Sequence, residues 1–229
     1  MTIVDKINSA DDDTWDGKFT EADHALEKLF NSIPIDAPEY NNVRRSYLIR
    51  TWIRLAHLYE PTMNKILVYK NKALDDYRKT KNIESLKDFF CLAQGLKHDK
   101  EVIEVFIEVK EHDLSIANKT CLSVFKLLVE KNEWQLLAET MTKKAMEHKY
   151  HNMLKVFRYD PKIEMTKEQL QDKEKAQLEF ITINLNHVFK VIATKRDDGI
   201  RDYFLQKAKM DLTELGLNNL YKQLDEITA

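Results

Sequence analysis

Four of the chain's eight arginines, Arg44, Arg45, Arg50 and Arg54, fall within eleven residues, whereas its 28 lysines are spread along all 229 positions. A planar guanidinium suits bidentate contact with carboxylate or phosphate, so this concentration points to recognition of an acidic group. In VRRSYLIRTWIRLAHLY (43–59), Arg50, Arg54 and His57 follow i, i+4, i+7 spacing and line one helical face, with Tyr47 at its edge. An aromatic beside arginines is typical of binding hot spots, which makes Tyr47, Arg50, Arg54 and His57 the candidate partner contacts. The competing use is ion pairing with Asp or Glu on neighbouring helices, stems packed and heads wet. Glu101, Glu104, Glu108 and Glu111 form a facing possibility, an acidic stripe at i, i+3, i+7 and i+10. It serves either as a solvated face or as a ridge for a basic partner, and the arginine row is one candidate mate.

Other spacings offer less. His148 and His151 stand i, i+3 after Glu147 and suit two metal ligands, but no further ligand pair accompanies them; they read as positive residues near a helix C-terminus. Glu21 and His24 have Glu-x-x-His spacing without the second copy that a carboxylate-bridged metal site needs. Asp12, Thr14, Asp16, Gly17, Phe19 and Asp23 resemble an EF-hand calcium loop. Thr at the third position and Asp at the twelfth weaken that likeness, and the stretch reads better as an acidic, weakly ordered N-terminal segment. The four glycines are isolated, and G-x-S-x-G, C-x-x-C and H-E-x-x-H are absent. Cys91 and Cys121 read as small buried hydrophobes. No catalytic, metal-ligating or cofactor-binding set is assigned.

The elements that must carry these residues are helices. Only four Gly and four Pro occur, too few for the turns of an all-β or doubly wound protein. Net charge is −2, with 36 basic and 38 acidic residues, which gives no general field for nucleic acid. No 18-residue apolar run or export signal is present, so the expected location is cytoplasmic. Leu48, Ile49, Trp52, Leu55, Ala56 and Tyr59 give 43–59 a wide apolar stripe, and this helix is expected to start near Glu39 and end or kink at Glu60-Pro61. Capping-box patterns stand at Thr20–Asp23, Asn132–Gln135 and Thr166–Gln169. Asn82 and Asp113 read as caps, Trp134 to Ala145 as one helix, and 158–165 as a connection. The long helix after Thr166 carries a seam of Leu178, Ile181, Leu185, Val188 and Ile192, which packs internally or dimerises. Asp197-Asp198-Gly199 breaks it, and two shorter helices follow on either side of Gly216.

Residues 62–148 read as successive helical hairpins. The helix–Lys-Asn–helix units that end at Cys91-Leu92-Ala93 and at Trp134, Ala138 and Ala145 resemble degenerate tetratricopeptide-type hairpins in layout, over less than half the chain. The family's Trp-Leu-Gly-Tyr positions are largely missing. The resemblance implies a curved stack with a concave peptide-binding face.

The expected fold is all-α, with stacked antiparallel hairpins and a long C-terminal helix, or alternatively a compact helical bundle. The expected organisation is an acidic segment with a short helix (1–38), a hairpin array (39–157) and a C-terminal helical segment (158–229). The expected function is non-enzymatic binding of an acidic or phosphorylated protein or peptide, with no membrane or nucleic-acid role and with homodimerisation open. The alternative is an all-α enzyme whose carboxylate and histidine groups come from separate helices.

Overall fold

The computed structural model describes residues 1–36, 40, 43–158 and 166–228. Its elements are helices, with no strand among the described residues. The chain divides into two compact units, 1–124 and 125–229, and the division falls within a helix.

In the first unit, α1 (Ile3–Trp15) and α2 (Phe19–Ser32) lead to a π-helical turn, π1 (Val43–Leu48), which runs directly into α3 (Ile49–Ala56). Then come α4 (Glu60–Thr80), α5 (Ile83–Gly95), α6 (Asp99–His112) and α7 (Leu114–Glu130), within which the units divide. Helix α3 is the hub of this unit and packs on α1, α2, α4 and α5. The reason is its sequence: Leu48, Ile49, Trp52, Ile53, Leu55 and Ala56 are all buried. It ends at Ala56, and Tyr59 stands in extended backbone before α4, whose first turn holds Pro61. His57 is therefore the C-terminal cap residue of α3 rather than part of its helical face. The expected start at Glu39 lies outside the described residues.

In the second unit, α8 (Trp134–Thr140), α9 (Lys143–Phe157), α10 (Lys167–Lys195), α11 (Asp198–Glu214) and α12 (Asn218–Thr228) follow. The long α10 packs on α8, α9, α11 and α12. Ile181, Leu185, Val188 and Ile192 are buried as the seam predicts, joined by Phe189 and Val191, while Leu178 is 45% exposed. The expected connection falls mostly on 159–165, outside the described residues.

Several local expectations need correction. The short helix expected in the N-terminal segment is present but runs on through the acidic stretch to Trp15, with Ile7 and Ala10 buried and a capping box of Thr2 with Asp5. Thr20 lies inside α2, which starts at Phe19 behind Lys18 with no side-chain cap. Trp134 to Ala145 is two helices, because Met141 is extended and the Thr142 hydroxyl caps α9 by accepting from the Ala145 N–H. The two Lys-Asn turns also differ. At the first, Lys81 is left-handed and Asn82 caps α5; at the second, Asn132 is left-handed and accepts from the Trp134 indole. Asn82, Asp113 and the Thr166–Gln169 box cap as expected.

Candidate functional site

The clustered arginines separate into two that pair with a buried carboxylate, one that is tied to a neighbouring helix, and one with no ionic partner among the described residues. Arg44 and Arg45 leave π1 toward α5 and converge on a single carboxylate, Asp88. Arg44 donates to Asp88 Oδ2 from Nε at 2.9 Å and from its terminal nitrogen at 2.8 Å, and Arg45 Nε donates to Oδ1 at 2.8 Å. Asp88 is 1% exposed. Arg44 also donates to the Phe30 and Ile33 carbonyls, and its guanidinium lies 3.7 Å from the Phe30 ring centroid. Arg45 continues to Glu84 at 2.7 Å. Burial opposes the Glu84 charge, yet the hydrogen bonds from Lys87 and Arg45 outweigh it and hold its carboxyl below the ordinary range.

Helix α1 takes the next contacts. The Tyr47 hydroxyl donates to Asn8 Oδ1 and Arg54 pairs with Asp11. Of the four predicted contact residues, two thus fasten α1 to the continuous π1–α3 segment, Tyr47 from π1 and Arg54 from α3. Arg50 and His57 are exposed and make no hydrogen bond or ion pair among the described residues.

Arg50 stands at the rim of a groove of about 430 Å³ between π1–α3 and α5, whose walls include Ile49, Ile53, Cys91, Gln94 and Gly95. The two helices meet closely here: a Cβ placed on Gly95 would lie 1.8 Å from Ile53 Cδ1. Gln94 donates to the Phe90 and Ser123 carbonyls, which fixes its amide at the wall. Burial pushes the Cys91 thiol up to about 12 and the Cys121 thiol to about 11, so both stay protonated and unreactive near neutrality.

Behind α3, a buried polar network holds α2 and α4. Asp23 accepts from the Trp52 indole at 2.8 Å and from Lys65 at 2.6 Å, and Lys65 also reaches Glu27 at 2.7 Å. Burial opposes the Asp23 charge, but the Lys65 and Trp52 hydrogen bonds prevail and lower its pKa. Asp23 is therefore a core residue. The calcium-loop spacing fails for a second reason: Asp12 and Thr14 lie in α1, and Lys18 bridges Asp13 at 3.3 Å and Asp16 at 3.0 Å. Among the described residues no group of three or more His, Cys, Asp or Glu side chains is placed to hold a metal ion.

The glutamate stripe finds its mates on α4 rather than in the arginine row. Glu101 pairs with the buried Lys70 at 2.6 Å and Glu108 with Arg78 at 2.7 Å, while Glu104 meets Lys100 on its own helix at 3.6 Å. His98 joins Lys70 and Glu101 at 3.3 and 3.2 Å, which is a carboxylate, an imidazole and an ammonium from two helices. There the Lys70 ammonium is committed to both oxygens of Glu101. His148 and His151 lie inside α9, not at its end, and His148 meets Asn152 at 2.8 Å.

Sequence reasoning passed over Asp88 and Gly95. Asp88 shows only as one acidic residue within an apolar run (DFFCLA), and Gly95 is the lone glycine of the first seven helices. Among the described residues no helix is long and apolar enough to cross a membrane. Comparison with protein-family models, with curated proteins and with solved structures finds no match in any of the three.

Proposed function

We propose that the first unit is a protein- or peptide-binding helical module that takes an acidic or phosphorylated segment at the α3–α5 groove. The observation that carries this reading is the state of Arg50. It is the one clustered arginine without an ionic partner among the described residues, and it borders a groove whose mixed walls include the apolar Ile49 and Ile53. A free guanidinium offers a bidentate contact to a carboxylate or phosphate, while Ile49 and Ile53 accept an apolar side chain next to it. His57, exposed at the C-terminal cap of α3, does not line the groove. Tyr47 and Arg54 act indirectly, because their bonds to Asn8 and Asp11 hold α1 against the helix that presents Arg50. Nothing must be broken to expose Arg50, so its charge steers an acidic partner directly.

The test is affinity capture on the wild type beside Arg50→Glu alone, since reversing Arg54 would also break its pair with Asp11. A partner held by the wild type and lost by Arg50→Glu, with unchanged helical circular dichroism, supports the reading. Equal capture by both sinks the site.

A further inference from the structure

We propose that Lys149, His187 and Lys190 form a phosphate-binding site in the second unit, which takes the tetrahedral phosphate of a small phosphorylated molecule. Lys149 lies on α9, and His187 and Lys190 lie one turn apart on α10, which packs on both α9 and α8. The His187 ring sits 6.1 Å from the Trp134 ring at the start of α8, inclined by 41°. Lys190 Nζ is 4.3 Å from the Trp134 ring centroid, and Lys149 Nζ is 4.7 Å from the centroid of Phe125. The His187 ring and the Lys190 ammonium thus meet at Trp134, and Lys149 stands over Phe125 on the helix packed against theirs.

What sets this cluster apart is the missing acid. Five other partly or fully buried lysines have oxygen partners. Lys65 meets Asp23 and Glu27, Lys70 meets Glu101, Lys87 meets Glu84, Lys195 donates to the Ala138 carbonyl, and Lys207 meets Asp211. Lys149 is half-buried, and neither it nor His187 nor Lys190 makes an ion pair or side-chain hydrogen bond among the described residues. Burial lowers the pKa of His187, and the like charges of Lys149 and Lys190 lower it further; burial also lowers that of Lys149, with no carboxylate acting against it. The rings stabilise the ammonium groups in part and solvent reaches the exposed Lys190, while an anion bound here would relieve the positive charge around the half-buried Lys149 and His187. Phosphate suits it, because its several oxygens can accept from two lysines, which act as point charges, and from an imidazole N–H together.

The full chain is titrated with inorganic phosphate and, separately, with phenyl phosphate in phosphate-free buffer at fixed pH and matched ionic strength. The Trp134 indole and His187 imidazole resonances are followed by NMR. Saturable shifts at both residues are expected, weakened about tenfold or more in Lys149→Met, which keeps an apolar stem over Phe125. Tighter binding of phenyl phosphate would identify an organic phosphate as the occupant, and equal binding would identify the free ion. The proposal is overturned if the shifts are linear, if chloride reproduces them, or if folded Lys149→Met behaves as wild type. Arg50→Glu leaves these shifts unchanged, so the outcome is independent of the groove in the first unit.

Discussion

Side chains of one type, a few residues apart, carry different duties here, and burial of the partner decides which. Arg44 and Arg45 share Asp88 in the interior, while Arg50 has water on its open side. A buried pair adds little compared with an apolar substitute, but removing one partner leaves a charge stranded. Asp88→Asn strands Arg44 and removes one of the two acids of Arg45. It is expected to cost about 3–5 kcal/mol of unfolding free energy in urea denaturation. A loss under about 1 kcal/mol would mean that water reaches the pair and that Arg44 is not held in the core.

At the scale of elements, the close meeting of α3 and α5 rests on Gly95. An added methyl there drives into Ile53 Cδ1, so one of them must move. Gly95→Ala is expected to destabilise by about 1–3 kcal/mol through overpacking. Ile53→Val removes that same terminal carbon at a cost of about 0.5–1.5 kcal/mol on its own. Combined, the two changes should cost less than their sum by about 1 kcal/mol, which a double-mutant cycle in denaturant measures. Strict additivity would mean that the helices stand further apart. The groove lies at the same contact, so Gly95→Ala with Ile53 intact also narrows the pocket that Arg50 borders.

Across the molecule, acidic and basic residues nearly balance, and the pH response of the first unit comes from particular carboxylates rather than from net charge. Asp23 and Glu84 both ionise more readily folded than unfolded. Their contribution is therefore present above their ordinary values of 3.8 and 4.5 and is lost as pH falls through the lower folded values. Asp23 accepts directly from the buried Trp52, so Trp52 fluorescence reports the loss. In a background with Trp15→Phe and Trp134→Phe, acid titration should show the Trp52 signal change below pH 3.8 together with falling urea stability. In Asp23→Asn the part of that stability slope due to Asp23 should vanish. An unchanged slope would mean that Asp23 is not charged in the folded state.

The amino-acid sequence by itself determined the helical class, since four glycines and four prolines cannot supply the turns of a sheet protein. It also determined the apolar stripe that makes α3 a hub and most of the seam of α10, because helical periodicity is a local property read over one or two turns. Helix starts were legible where a side chain caps, as at Asn82, Asp113 and Thr166, and misread where the backbone alone begins the helix, as at Lys18 and Glu133. The fate of each charge was decided only by the tertiary structure. Arg44, Arg45, Arg50 and Arg54 look alike in sequence, but Asp88, the partner of Arg44 and Arg45, and Asp11, the partner of Arg54, each lie more than forty positions away. The same holds for Glu101, which faces Lys70, and for Lys149, which faces no acid among the described residues. An ionic partner is a long-range fact: it depends on which helix faces which, and local periodicity carries no information about that.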